Sequence, residues 1–405
     1  MQDNLSDPVP VKIKIENLIK VFGKKPERAI ARLKKGESKD KILEETGLGV
    51  GVNNASFDVN EGEIVVVMGL SGSGKSTLLR CLNRLIDPTE GKIIVDGVDV
   101  TALSVKELRL FRQEKFGMVF QNFALFPHRT IIQNTEYGLE IKGVEKDVRR
   151  KKALDVLKQV GLEGWEDSYP NQLSGGMQQR VGLARALTLD PDILLMDEAF
   201  SALDPLIKRD MQDELISLQN RLKKTIIFIS HDLDEALRLG DRIVLMKDGA
   251  IVQVGTPDEI LSNPATRYVE KFVADVDVTK ILVADQIKRK TREFGILGND
   301  GPKSLLRKMD KAGISYIFIV RKDYSFAGMV TDVDAAEAVK TDGKSIEAIL
   351  RTDIKTVPPD TPATELVDIM KDIPHPLAVV SEDNQLTGVI IRGTLLAALS
   401  QGGYN

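Results

Sequence analysis

Gly69-Leu70-Ser71-Gly72-Ser73-Gly74-Lys75-Ser76-Thr77 is the stretch that decides the fold. It fits G-x-x-x-x-G-K-S, with the apolar run Ile64-Val65-Val66-Val67-Met68 before it and Leu78-Leu79-Arg80-Cys81-Leu82 after it. A strand before and a helix after is the setting this motif requires. Glycines let successive backbone N–H groups turn inward around phosphate oxygens. The following helix adds its positive N-terminal end. The expected site binds ATP through Gly69, Ser71, Gly72, Ser73, Gly74 and Thr77. Lys75 would reach the β- and γ-phosphates and Ser76 would ligate Mg²⁺.

Working outward, Ile193-Leu194-Leu195-Met196-Asp197-Glu198 supplies a second half. Four apolar residues bury a strand and deliver two carboxylates at its end. Beside a phosphate loop, Asp197 is expected to hold Mg²⁺ and Glu198 to orient and polarise an attacking water.

The chain has 405 residues, too many for one ordinary core, and a formal net charge of −4 that argues against nucleic-acid binding by the whole chain. Its single cysteine, Cys81, excludes an internal disulfide and suits a reducing compartment. The start, Met1-Gln2-Asp3-Asn4-Leu5, carries no signal pattern. No apolar run approaches the ~20 residues of a membrane helix, so a membrane role is expected to come through a partner or a surface contact.

Short, β-branched apolar runs at 64–68, 118–120, 193–196, 225–229 and 243–246 alternate with helical segments such as 146–160 and 205–222. That alternation predicts an α/β domain on a largely parallel sheet. Residues 24–48 interrupt it after a strand-rich opening at 11–23. They are rich in lysine and arginine at helical spacing and read as an inserted, solvated helical pair. Residues 279–405 change character and repeat weakly at an offset of sixty, Ala312–Val320 against Asp372–Val380 and Gly328-Met329-Val330 against Gly388-Val389-Ile390. Two copies suggest a paired module.

Across residues 11–275 the chain resembles the ATP-binding-cassette (ABC) ATPases. Leu173-Ser174-Gly175-Gly176-Met177-Gln178-Gln179-Arg180 resembles their signature loop, which closes over ATP held by another copy. The resemblance implies that Ser174, Gly175, Gly176 and Gln178 act in trans, with Asp204 of Ser201-Ala202-Leu203-Asp204 on the dimer-crossing D-loop. It also implies that Gln121 contacts Mg²⁺ or water and that His231 contacts the γ-phosphate. Phe22 would lie against adenine, or else serve as an edge aromatic. A homodimer around two MgATP follows. Phe123-Ala124-Leu125-Phe126-Pro127-His128 looks like the surface that receives a coupling helix in importers.

The insertion and the C-terminal repeat narrow the resemblance to ATP-binding subunits of glycine betaine/proline betaine importers (the OpuA/ProV type), which carry tandem CBS modules. The implied architecture is an ABC-type P-loop NTPase domain with a helical subdomain over 1–275, then an α+β tandem CBS module, with copies at 279–340 and 341–405. The implied partner is an integral membrane permease, alone or fused to a substrate-binding domain, with this chain peripheral at the cytoplasmic face. An importer of amino acids or metals and a soluble, non-transport ABC ATPase are the alternatives.

Thr331-Asp332-Val333-Asp334 resembles the T-x-x-D of nucleotide-binding CBS modules, while Ile391-Arg392-Gly393-Thr394 lacks the aspartate. Two readings stand: a structural dimerisation module, or a cyclic di-AMP site with Tyr316 and Pro376 near the bases and Arg392 near phosphate. Lys288, Arg289, Lys290 and Arg292, with Lys280 upstream, form a basic cluster expected on a helix. It reads equally as a sensor of ionic strength on an anionic membrane surface or as a solvated face.

Overall fold

The computed structural model describes residues 10–274, 282–290, 293–341, 343 and 345–401. The chain divides into two compact units, Met1–Val273 and Ala274–Asn405.

The first unit opens with β1 (Val11–Phe22), the helices α1 (Glu27–Leu33) and α2 (Lys39–Thr46), and β2 (Gly49–Asn60). Then come β3 (Ile64–Met68), α3 (Lys75–Leu82), β4 (Glu90–Val95), β5 (Val98–Asp99), α4 (Val105–Lys115) and β6 (Phe116–Val119). A helical stretch follows: α5 (Ile131–Thr135), α6 (Tyr137–Ile141), α7 (Lys146–Gln159) and α8 (Gly175–Leu187). The unit closes with β7 (Ile193–Asp197), α9 (Pro205–Leu222), β8 (Thr225–Ser230), α10 (Leu233–Leu239), β9 (Arg242–Lys247), β10 (Ala250–Gly255), α11 (Pro257–Ser262) and α12 (Arg267–Val273).

Two sheets result. The larger has the order β10-β9-β3-β8-β7-β6, parallel except for the β9–β10 hairpin. Every residue of β3, β7 and β8 is buried, which is why those strands are continuous apolar runs in the sequence. The smaller sheet, β2-β1-β4-β5, is antiparallel. One core joins the two sheets through α3: Ile13 and Ile15 of β1 share it with Val65 and Val67 of β3 and with Leu78 and Leu79 of α3. Each such side chain, fully buried, contributes about 1.5–3 kcal/mol, so the phosphate loop ahead of α3 stands on a firmly held base.

The inserted pair α1 and α2 packs Ala29, Ile30 and Ile42 onto Ile19, Val21 and Leu48. It is not wholly solvated. The Lys39 ammonium donates to the carbonyl of Gly72 at 3.1 Å and pairs with Asp248 at 3.2 Å.

In the second unit α13 (Ala284–Ile287) precedes β11 (Gly295–Ile296), α14 (Pro302–Ala312), β12 (Tyr316–Val320), β13 (Phe326–Thr331) and α15 (Asp332–Lys340). A second copy of the pattern follows: β14 (Thr356–Val357), α16 (Ala363–Lys371), β15 (Leu377–Val380), β16 (Leu386–Ile390) and α17 (Arg392–Gln401). Each copy has a three-stranded sheet, one parallel pair and one antiparallel pair, in the same order.

The copies exchange their leading segments. Ala284 and Ile287 pack in the core of the second copy, and Ile346 packs in the core of the first. Arg289 forms a bridge to Val389, and Arg351 forms the equivalent bridge to Met329. A boundary drawn at residue 341 therefore cuts across packing that the two copies share. Between the sheets lies a cluster of Phe318, Met329 and Ala378, with Tyr316 against it.

The basic cluster expected on a helix is corrected here. Helix α13 ends at Ile287, and the Arg289 backbone exchanges hydrogen bonds with Val389 at 2.8 and 3.0 Å, a strand-like pairing. Lys288 pairs with Asp285, and Arg289 and Lys290 are exposed. Lys280 and Arg292 lie outside the described residues.

Candidate active site

The loop between β3 and α3 takes left-handed backbone at Gly69 (φ 151°), Gly72 (φ 76°) and Gly74 (φ 101°). A Cβ on Gly69 would sit 2.2 Å from the Met246 carbonyl, and one on Gly74 would sit 2.1 Å from the Gly51 carbonyl. Glycine is required at both positions for conformation and for space. The loop is braced from behind by the turn after β9, where the Gly249 N–H donates to the Ser73 carbonyl at 3.0 Å.

Lys75 is buried, and its ammonium donates to the carbonyls of Gly69 and Leu70 at 2.8 and 3.2 Å. Burial pulls its pKa below the usual lysine range, while the carboxylates of Glu198 and Asp197 act the other way. Ser73 Oγ is buried without a hydrogen-bond partner among the described residues. A buried hydroxyl left unsatisfied is costly. An anionic ligand in the loop would give both groups an acceptor, and the donor set fits a polyphosphate.

Ser76 Oγ donates to Asp197 Oδ1 at 2.8 Å, and Arg80 reaches Asp197 Oδ2 at 3.2 Å. A hydroxyl and a carboxylate already in contact beside a phosphate loop are hard oxygen donors suited to Mg²⁺, which takes few protein ligands and completes its shell with phosphate and water. Glu198 follows with φ 48°, a left-handed conformation uncommon for a non-glycine residue. Its Oε2 lies 3.2 Å from His231 Nδ1 and 3.4 Å from Gln121 Nε2. Gln121 also donates to Ser201 Oγ at 3.1 Å. Residues from four separate chain segments, Lys75 and Ser76, Gln121, Asp197 and Glu198, and His231, thus form one cluster.

Phe22, 43% exposed at the end of β1, lies over Gly51. A Cβ on Gly51 would come within 2.8 Å of Phe22 Cε2 and 2.9 Å of Thr77 Cγ2, so the ring sits close to the start of α3. Lys20 Nζ stands over the ring, 5.1 Å from its centroid.

The signature residues lie elsewhere. Ser174 caps α8 by accepting from the Met177 N–H at 3.3 Å, and Gln178 Nε2 donates to the Leu173 carbonyl at 3.1 Å. Asp204 caps α9 at Ile207 N–H, 3.1 Å away. A Cβ on Gly176 would meet Ile207 at 2.6 Å, so signature helix and D-loop helix are packed together. Among the described residues no hydrogen bond or ion pair joins 173–178 to 69–77.

Two further residues shape the site without belonging to any motif. Arg185 of α8 donates to the carbonyls of Phe123, at 3.0 Å, and of Ala124, both of which take positive φ. Asn134, fully buried, accepts from the Phe126 N–H and donates to the carbonyls of Phe126, Arg129 and Thr130. Arg185 fixes the start of the 123–130 loop to the signature helix, and Asn134 fixes the rest of it to α5. An arginine within an apolar helix and an asparagine beside Ile131-Ile132 were the available signals.

In the second unit Thr331 Oγ1 donates to Asp334 Oδ2 at 2.7 Å, and Arg351 binds Asp334 through two nitrogens at 2.8 and 3.1 Å. Tyr316 is half-buried and Pro376 buried, each at the start of its copy's middle strand. Arg392 departs from the expected placement near phosphate: its Nη2 donates to the carbonyls of Met370 and Ile373, each at 2.9 Å, closing the end of α16.

Phosphate loop, adjoining carboxylate pair and separate signature helix define an ATPase of the ATP-binding-cassette class. Residues 52–201 match the ABC transporter family and residues 346–401 the CBS domain family. The glycine betaine transport ATP-binding protein OpuAA of Bacillus subtilis (strain 168) is 57% identical over 394 residues, 97% of this chain and 94% of that protein. The glycine betaine/proline betaine transport system ATP-binding protein ProV of Escherichia coli (strain K12) is 50% identical over 398 residues, 98% of this chain and 99% of that one. The chain belongs to this family of ABC-transporter ATP-binding proteins. Among solved structures, the dimeric post-hydrolysis cassette MJ0796 bound to ADP and Pi is 34% identical with a TM-score of 0.51, over 60% of this chain and 98% of that one. No helix among the described residues is long and apolar enough to cross a membrane.

Proposed function

We propose that this chain is the ATP-hydrolysing subunit of an importer for a compatible solute of the glycine betaine/proline betaine class, peripheral at the cytoplasmic face of a membrane permease. The observation that carries the reading is near-full-length similarity to two such proteins, spanning cassette, insertion and C-terminal repeat alike. The amino-acid, metal and soluble alternatives do not account for that span.

The clustering of Lys75, Ser76, Gln121, Asp197, Glu198 and His231 supports the following roles. Lys75 and the loop amides bind the β- and γ-phosphates. Ser76 and Asp197, with Gln121 nearby, would hold Mg²⁺, which would supply charge neutralisation for the phosphates. Glu198 accepts hydrogen bonds from the attacking water and polarises it, and His231 fixes that carboxylate through Nδ1. Phe22 stacks on adenine. Ser174, Gly175, Gly176 and Gln178 complete the site of a second copy across the dimer, with Asp204 beside them. This division fits the packing of Gly176 on Ile207, which makes signature and D-loop one body.

The C-terminal unit regulates. Its first copy has the strand and helix order of the second, the one matched as a CBS domain, and is read as CBS too. A cyclic di-AMP site at the seam is supported by Tyr316 beside the cluster between the sheets. Response to ionic strength at an anionic surface rests on the exposed Arg289 and Lys290.

Uptake of radiolabelled glycine betaine into vesicles holding the chain with its permease tests the assignment. ATP-driven uptake competed by proline betaine is expected; uptake of neither solute, with ATP turnover intact, sinks it.

A further inference from the structure

We propose that Lys39, at the start of the second inserted helix, is a positioning residue for the triphosphate site. The inference rests on the phosphate-loop reading of Gly69–Thr77.

Lys39 is drawn in from the surface, its side chain 22% exposed, and it bridges two separate pieces of backbone scaffold. Its Nζ donates to the Gly72 carbonyl at 3.1 Å and meets Asp248 at 3.2 Å. Gly72 stands at the apex of the loop in a left-handed conformation, φ 76°, and a Cβ there would meet nothing within 4 Å, so no packing holds that residue. Asp248 begins the turn whose Gly249 N–H already binds the Ser73 carbonyl. The lysine thus clamps the apex of the loop to its brace.

The consequence is stereochemical. In a trans peptide the carbonyl and the N–H lie in one plane and point in opposite directions. Holding the Gly72 carbonyl outward on Lys39 turns the Ser73 N–H inward, where it donates to the Leu70 carbonyl at 3.1 Å and closes the turn at the head of the loop. That turn sets the curvature with which the remaining N–H groups of the loop surround a phosphate. The insertion is in turn anchored on Ile19, Val21 and Leu48, the strand ends that flank Phe22. It therefore touches both the phosphate and the aromatic side of one nucleotide site.

The test is steady-state ATPase activity and MgATP affinity of the full-length chain carrying Lys39→Met, Lys39→Arg, Asp248→Asn or both Lys39→Met and Asp248→Asn. Loss of one charge-assisted hydrogen bond in the Lys39→Met chain is expected to raise KM and Kd for MgATP about three- to tenfold, with a much smaller change in kcat. Lys39→Arg should recover most of the affinity. The double variant should be no worse than Lys39→Met alone, because both substitutions break one bridge. Unchanged KM and Kd, or a fall confined to kcat, overturns the proposal. A lowered melting temperature with nucleotide affinity intact also overturns it, since that is the signature of a merely structural anchor. If Lys39→Met does not fold, Asp248→Asn carries the same expectation, and unchanged affinity there is equally fatal. Lys75→Ala serves as control: normal MgATP binding by that variant refutes the phosphate-loop reading itself.

Discussion

His231 Nδ1 lies 3.2 Å from Glu198 Oε2, so the residue after β7 and the residue after β8 meet at the ends of neighbouring parallel strands. Gln121, beyond β6, approaches the same carboxylate oxygen at 3.4 Å. Three adjacent strands thus place one group each at one point, as expected where an α/β sheet presents its carboxyl ends to a ligand.

Removing the negative charge from that point separates binding from turnover. Glu198→Gln keeps the size of the side chain and the hydrogen bonds of the loop to phosphate. Steady-state ATP hydrolysis is expected to fall by about 10²–10⁴-fold, the span of a lost general base. MgATP should still bind and should hold two copies together, which light scattering with and without MgATP reads directly. Ordinary turnover in this variant removes Glu198 from the role of base.

Gly51 is the hidden determinant of the aromatic side. A Cβ there would stand 2.8 Å from Phe22 and 2.9 Å from Thr77, the residues proposed to contact the nucleotide. In Gly51→Ala the ring must swing away. KM for ATP should rise about three- to tenfold, comparable to one aromatic contact, and Phe22→Ala should produce a similar change. A full loss of folding in Gly51→Ala with a normal KM in Phe22→Ala argues instead for a purely structural glycine.

The sequence exposed some of this architecture and concealed the rest for physical reasons. Strands β3, β7 and β8 are buried on both faces and so are written as unbroken apolar runs. Helices α7 and α9 were legible from their periodicity within a residue or two. The smaller antiparallel sheet was not: β2 reads Gly-Val-Gly-Val-Asn-Asn-Ala-Ser-Phe-Asp-Val-Asn, half exposed and interrupted by glycine and asparagine. Motif spacing marked out Lys75, Ser76, Asp197 and Glu198, because chemistry fixes those residue types. It could not show Arg185, Asn134 or Lys39, whose partners are backbone carbonyls distant in the chain or hidden in a turn. The expected phosphate role of Arg392 failed for the same reason: the sequence displays a guanidinium but not the helix end that occupies it.

Arg392 accordingly has a structural prediction. Its two hydrogen bonds satisfy carbonyls at the end of α16, where a positive charge also opposes the helix dipole. Arg392→Met should destabilise the C-terminal unit by about 1 kcal/mol, seen as a lower melting temperature of that transition, with cassette ATP affinity unaltered. Both bonds leave one nitrogen, so Arg392→Lys, whose ammonium also carries more than one N–H, should recover most of the loss. An unchanged melting transition in Arg392→Met counts against the cap.

Acid acts on a four-residue charge cluster in the first unit. Lys12 and Lys115 are interleaved with Asp96 and Asp192, at 2.9 and 3.4 Å from Lys12 and at 3.0 and 2.7 Å from Lys115. The cluster ties β1 and the end of α4 to the turn after β4 and the approach to β7. Burial alone would raise the pKa of both aspartates, but the two ammonium groups outweigh it and leave each below its usual value. A carboxylate whose folded pKa is depressed contributes stability above its unfolded pKa of about 3.9 and loses it as pH falls through the lower folded value. The first unit should therefore be insensitive to this cluster near neutrality and weaken below about pH 4. Asp96→Asn should lower the stability plateau at pH 7 by about 0.5–1 kcal/mol, a figure discounted for solvent screening, and should make the fall below about pH 4 shallower. Denaturant unfolding of the full chain between neutral and acid pH measures both. Parallel curves for the two proteins, offset by a constant, would mean that the aspartate keeps the same pKa folded and unfolded, and that the bridges contribute by packing alone.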